Sequence, residues 1–417
     1  MTPSSTFDRQ NNLYKALILF ISVIMLTGVL TAQQHSSWRG TERNGIYHDE
    51  GLLREWPEDG PEIIWSFEGI GEGYSSPAFA NGEIYISGMI ERTGYIFVFD
   101  KDGVLKRKFK YGPEFYQSYP GSRSTPLIVE DLLYTVTGKG RILCMDAGTG
   151  LIKWSRDAVQ DFNSENIRWG ITENLLINGD KVFFSPGGTK HNIVALDRFS
   201  GETIWSSPGA GKGDLSAYCS PILIELPERN VLVTIMATDI VGVDAETGQF
   251  LWSHPQTNRH NIHANSPVFK DGSVLASSEK AGSVKLSLKD DGIIKNVEWT
   301  NAEPDPLQGG VVIVDGYAYT AGSTNRGWFC MDWQSGETIW SSTELDRGVV
   351  LYADNRLYIY TEKGVLALVR PTPEKLDIVN KTIIKTGTGE HFSYPVIHEG
   401  RLYVRRGNAI VVFNISL

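Results

Sequence analysis

The chain alternates short apolar runs with polar turn residues, at the period of two expected of strands. One recurring unit is Ser-Pro, an apolar run, Asn-Gly or Asp-Gly, then a second apolar run with an aromatic. Ser76-Pro77 leads to Tyr85, Thr125-Pro126 to Tyr134, Ser266-Pro267 to Leu275 and Tyr394-Pro395 to Tyr403. The second landmark lies eight residues after the Pro each time. The same spacing puts weaker copies of the slot at Leu175, Val311 and Val350, and Pro221 fits with extra residues in Glu225–Asn230. Eight units of about 45 residues follow, a length in the range of propeller blades.

A second pattern closes each unit. Cys144–Trp154, Ala195–Trp205, Gly242–Trp252 and Cys330–Trp340 all read small–apolar–Asp, three residues, Gly, then Trp four residues on. The Asp side chain can bond the turn backbone, the Gly supplies a positive φ, and the next strand carries the Trp. The sequence therefore predicts an all-β, eight-bladed propeller of four-stranded antiparallel blades. Phe109 replaces the Trp in the first blade, Trp299 follows a longer turn in the fifth, and the seventh has none. The last unit, 392–417, runs out after three strands, while Pro61-Glu62-Ile63-Ile64-Trp65 reads as an orphan Trp strand. That strand is expected to complete the last blade and close the ring, which protects its edges.

Composition narrows the class. A net charge of −10 excludes a nucleic-acid partner. Arg9 and Lys15 precede an apolar run, 16–29, that ends at Leu30-Thr31-Ala32, the layout of an export signal cleaved after Ala32. The expected organisation is a signal peptide at 1–32, an N-terminal extension at 33–60 and one propeller at 61–417. The protein is then a monomer of the periplasm or cell envelope, with membrane contact only through an uncleaved signal segment. Cys144, Cys219 and Cys330 are isolated. Cys144 and Cys330 fill the small slot of the turn unit, four blades apart, so buried thiols are expected rather than a disulfide.

The Asp-x-x-Ser/Thr-Gly-x-x-x-Trp pattern resembles the tryptophan-docking motif of eight-bladed quinoprotein propellers. That superfamily includes pyrroloquinoline-quinone dehydrogenases and the non-enzymatic propeller of the outer-membrane β-barrel assembly machinery. Trp38-Arg39-Gly40…Arg43-Asn44-Gly45, Gly51-Leu52-Leu53…Trp56-Pro57, Trp169-Gly170…Glu173 and Ser185-Pro186-Gly187-Gly188 look like bacterial exported PQQ-like β-propeller repeat proteins. The resemblance implies the fold over about residues 36–417 and leaves activity open. Quinone dehydrogenases of this superfamily carry adjacent cysteines, a Ca²⁺ set and a catalytic Asp, none of which matches a motif here. No cofactor is therefore expected, and PQQ with Ca²⁺ has no motif behind it.

The connections entering each blade are long and carry the candidate chemistry. Three residues before the slots stand Tyr74, Arg123, Tyr218, Gln308, Arg347 and Phe392. The expected ligand site is the funnel mouth, built from Arg123, Arg168, Trp169, Glu173, Tyr218, His263, Asn265, Gln308 and His391. Trp169 and Tyr218 would stack on a ring, and Arg123 and Arg168 would hold carboxylate or hydroxyl oxygens. The competing arrangement is a plug in which Glu173 neutralises Arg168 or Arg123. His263 is expected to titrate near neutral pH. His260 and His263 have a metal-like spacing but lie in a loop, and Asp100–Gly103 and Asp290–Gly292 read as turns, so neither a metal site nor a catalytic residue is assigned. The reading is a non-catalytic binding or scaffolding propeller of the envelope, holding a partner protein or a glycan on its rim loops. The alternative is a PQQ-dependent alcohol or sugar dehydrogenase, or a carbohydrate-active protein, using the funnel.

Overall fold

The computed structural model describes residues 38–417 except Gly213, within one compact unit, Gln34–Leu417. The expected signal segment lies outside the described residues. Among those residues, strands β1 (Ile63–Glu68) to β32 (Ala409–Asn414) form eight four-stranded antiparallel sheets. The first blade is β2 (Ala78–Ala80), β3 (Glu83–Ile90), β4 (Thr93–Asp100) and β5 (Leu105–Pro113). Six more blades follow in chain order. The eighth contains β30 (Val396–His398), β31 (Arg401–Arg406) and β32, with β1 added at its outer edge. Trp65 lies opposite Val412, so the N-terminal strand closes the ring as the sequence predicts.

Middle strands are apolar on both faces because each blade is packed between two neighbours. Residues Ile142–Met145 of β8 (Arg141–Asp146) are wholly buried, whereas β9 (Ile152–Asp157) buries chiefly its Trp. At the turn between them, the Asp146 carboxylate accepts the Thr149 N–H at 2.9 Å and hydroxyl at 2.8 Å. Asp197, Asp244 and Asp332 do the same for Ser200, Thr247 and Ser335.

The turn glycine is needed for two reasons. Gly248 has φ +75°, and a Cβ there would stand 2.5 Å from the Trp205 ring of the preceding blade. Each Trp thus lies on the turn of the next blade and donates its indole N–H to a carbonyl there. Trp154 bonds Arg198 at 2.9 Å, Trp205 bonds Ala245 at 3.1 Å and Trp252 bonds Gly292 at 2.7 Å. Trp299, Trp340 and Trp65 repeat this with Trp333, Thr372 and Lys101. Phe109 packs against Gly150 in the same way. Trp340 is only partly buried, on an outer strand whose neighbour Ile339 is exposed.

The seam between the seventh and eighth blades has no strand-borne Trp, and the N-terminal extension fills it. Ile46 pairs with Tyr352 and Leu52 with Ser416, spanning both blades. Trp56 is buried against Tyr358 at 6.1 Å, and its backbone N–H donates to the Asn380 side-chain oxygen at 2.9 Å. Residues 38–60 are therefore stitched into the ring.

Candidate central binding cavity

Each blade begins with a strand next to the propeller axis, and the residues before it converge there. A cavity of about 310 Å³ lies at this mouth. Every position three residues before a slot lines it: Tyr74, Arg123, Thr172, Tyr218, Ala264, Gln308, Arg347 and Phe392. Asn174, Ser220 and Tyr394, one residue before their slots, lie deeper and are buried. Side chains two positions apart share a direction along an extended run, which explains the paired depth.

The floor comes from the extension. Trp38 lines the cavity and meets Tyr394 edge-on at 5.7 Å. Beneath it, Arg43 donates to the Leu175 and Asn174 carbonyls at 2.9 and 2.6 Å, and Arg39 donates to the Val311 carbonyl at 2.9 Å. These bonds tie residues 38–45 to the third and sixth blades across the axis.

Of the expected site residues, the structure brings Arg123, Trp169, Tyr218 and Gln308 to this cavity. Trp169 and Tyr218 pack at 6.0 Å, and the Tyr218 hydroxyl accepts the Trp169 N–H at 3.4 Å. Arg123 is buried and donates to the Ser118 and Tyr119 carbonyls at 3.0 and 2.6 Å. Burial pulls its pKa down, opposed by the nearby Glu114. Gln308 Nε2 is buried without a hydrogen-bond partner.

The other five stand elsewhere. Arg168 is exposed, 4.8 Å from the Trp169 ring, and does not line the cavity. Glu173 is fully buried, and its Oε2 accepts the Ser185 N–H at 3.0 Å. Burial pushes Glu173 up to about 8, against the pull of that bond and of Arg43. It pairs with neither Arg168 nor Arg123, so the competing plug through Glu173 is not what the described residues form. Asn265 bridges the Pro306 carbonyl at 2.8 Å and the Gly310 N–H at 2.9 Å. His263 holds Ser278 Oγ at 2.7 Å and the Ala237 carbonyl at 3.2 Å. Burial takes His263 down to about 4, which corrects the expectation of titration near neutral pH. His391 meets the Tyr360 hydroxyl at 2.5 Å and is likewise lowered to about 4 by burial. The sequence reading assigned no role to Trp38, Asn174, Ser220 or Tyr394; Asn174 and Tyr394 carried a signal in their place beside the slot.

The lining contains aromatic, amide, hydroxyl, aliphatic and guanidinium groups, and no carboxylate, imidazole or thiol. A quinone held with Ca²⁺ needs carboxylate oxygens for the cation. Among the described residues no group of three or more His, Cys, Asp or Glu is placed to hold a metal ion. Cys144, Cys219 and Cys330 are buried free thiols. The residues present do not fit the quinone–calcium group.

A family model described as outer membrane protein assembly factor BamB matches residues 106–342. The chain belongs to this family. A BamB of Kangiella koreensis is 28% identical over 155 residues, 37% of this chain and 34% of that protein. A quinoprotein ethanol dehydrogenase of Pseudomonas putida is 24% identical over 170 residues, 37% of this chain and 27% of the enzyme. The matches thus span about a third or less of these relatives' own lengths. Among solved structures, BamB from Moraxella catarrhalis aligns with a TM-score of 0.62 at 14% identity, covering 85% of this chain and 100% of that one. Quinohemoprotein alcohol dehydrogenase from Comamonas testosteroni aligns with a TM-score of 0.65 at 12% identity, covering 92% and 80%. At these identities the structures share the fold, and chemistry has to be argued from the cavity.

Proposed function

We propose that this chain is a non-catalytic binding propeller of the cell envelope, holding a glycan or an element of a partner protein at the rim and funnel. The observation that carries this reading is the makeup of the cavity. Every blade contributes at least one lining residue, and the lining offers ring faces and hydrogen-bond donors without a carboxylate, imidazole or thiol. Such a site can bind and orient, and its tyrosine, serine and threonine hydroxyls have no carboxylate or imidazole beside them in the lining to activate them. Membership of a family described by an assembly factor supports a scaffold, and the N-terminal apolar run supports export.

The experiment pairs two measurements on the full chain. The first follows dye reduction with alcohols and sugars after adding pyrroloquinoline quinone and Ca²⁺. The second screens envelope glycans and fragments of envelope proteins for saturable binding that Trp169→Ala abolishes. Binding without turnover is expected. Saturable quinone-dependent turnover would replace this reading with the dehydrogenase reading.

A further inference from the structure

The cavity is ringed by buried positive charge. Arg39, Arg43, Arg123 and Arg405 are all buried, and none makes an ion pair among the described residues. Their hydrogen bonds go to carbonyls and hydroxyls. Arg405, for example, donates to the Ser75 hydroxyl and the Ser87 carbonyl at 2.6 Å each. Three of these guanidinium groups stand against rings of the cavity wall. Arg43 is 5.0 Å from the Trp38 centroid, Arg39 is 5.4 Å from that of Tyr394 and Arg123 is 5.9 Å from that of Tyr74.

Two buried carboxylates lie near them, Glu173 by Arg43 and Glu114 by Arg123. Burial opposes the ionisation of both. Glu72 and Glu390 also act on the Tyr74 wall, but from exposed positions where solvent screens them; among the buried groups the positive charges outnumber the negative ones even with both carboxylates ionised. A fifth guanidinium, Arg347, lines the cavity itself and is paired to Glu362 at 2.9 Å. In a low-dielectric setting this excess makes the cavity positive in a protein whose net charge is −10.

The remaining hydrogen-bonding capacity has the same sense. The Tyr218 and Tyr394 hydroxyls accept backbone N–H groups from Trp169 and Gly309, which leaves their protons to donate. Gln308 Nε2 is a buried donor without a partner. The Asn174 side-chain amide oxygen is already taken by the Thr125 N–H at 2.7 Å, and the Thr172 hydroxyl donates to the Tyr218 backbone carbonyl at 2.8 Å. A neutral sugar presents hydroxyls that must donate as well as accept, and no carboxylate lines the wall to receive them. A carboxylate only accepts.

We infer that the central cavity is an organic-anion site, taking a ligand whose carboxylate faces Gln308 and Arg347 while a flat ring lies against Trp169 and Tyr218. The two walls belong to the sixth and seventh blades on one side and the third and fourth on the other. The carboxylate can come from an acidic sugar or from an aromatic acid. The inference rests on the binding reading above and narrows its ligand.

Ligand-observed NMR on the full chain tests it with two matched pairs of probes: methyl glucuronide against methyl glucoside, and 1-naphthoate against 1-naphthalenemethanol. Charge-assisted hydrogen bonds are roughly twice as strong as neutral ones, so at least one acid is expected to bind about tenfold or more tighter than its neutral partner. The acid that binds identifies the source of the carboxylate. Binding should weaken with added salt, and Gln308→Leu and Arg347→Gln should each reduce it about tenfold. Each variant is first checked for wild-type circular dichroism. Should either misfold, the shift of the Trp169 indole resonance in ¹⁵N-Trp wild-type protein replaces it, and no shift with bound acid counts against the site. Equal affinity for acid and neutral partner overturns the inference and leaves the binding reading standing. Failure of both acids to bind also overturns it, while quinone-dependent turnover in the separate assay is what sinks the binding reading.

Discussion

Replacing Trp205 with Ala tests whether the blades are held by the tryptophan contacts between them. The side chain is 8% exposed, stacks on Phe183 at 5.8 Å and bonds the Ala245 carbonyl of the next blade. A buried aromatic of this size covers about 150–250 Å², worth about 4–6 kcal/mol at about 25 cal/mol per Å². Extended-chain areas are upper bounds, so the expected loss is about 3–5 kcal/mol, in line with large-to-small core substitutions. Gly248 cannot close the gap, because its turn is fixed by the Asp244 bonds to Glu246 and Thr247. Reversible urea unfolding followed by circular dichroism reads the effect. The same substitution at half-buried Trp340 should cost clearly less. A loss under about 1 kcal/mol at Trp205 would refute the reasoning, since the ring would then be peripheral to the seam.

Trp56→Ala, at the seam the extension seals, should also cost about 3–5 kcal/mol by urea unfolding, and no loss would mean the extension merely rests on the ring. Cys144 and Cys330, pushed up to about 11 and 12 chiefly by burial, should react with a thiol reagent only after denaturation, with no disulfide in the native mass spectrum. His263 has a folded pKa of about 4 against 6.5 unfolded, so the unfolded chain binds more protons between those values and stability rises with pH across that window. His263→Gln should flatten this acid limb in pH-dependent unfolding. Glu173, at about 8 when folded and 4.5 unfolded, has the opposite sign: its contribution is full below 4.5 and is lost as pH rises through 8. Glu173→Gln should remove that alkaline loss.

The ring was legible because its signals are local. A Pro slot and an Asp–Gly–Trp turn recur at fixed spacing, and each is satisfied by contacts within a blade or with the next one. The six large residues named three before the slots were legible for the same reason, and all six line the cavity, with the smaller Thr172 and Ala264 completing the set. Four of the five misplaced residues share a different feature. Glu173 and Asn265 stand two positions before their slots, and His263 and His391 stand four before. The alternation of an extended run turns those positions away from the axis, where they bond Ser185, Gly310, Ser278 and Tyr360. Leu307, also four before its slot, does reach the cavity. Gly309 and Gly310, at φ +121° and +68°, interrupt the alternation in that run. The floor was not legible, because Trp38, Arg39 and Arg43 bond blades more than a hundred residues away and nothing in their local pattern says which.

Residues from all eight blades converge on one cavity whose lining holds no carboxylate, imidazole or thiol, and the proposal is that it binds a ligand there. The most direct measurement is a crystal structure of the full chain soaked with whichever of the four matched probes binds most tightly. The account predicts ligand density between Trp169 and Tyr218 on one side and Gln308 and Arg347 on the other, with Trp38 beneath it. Density confined to the outer strands, or an axis refilled by Tyr119 and Phe392 with the ligand excluded, would contradict it.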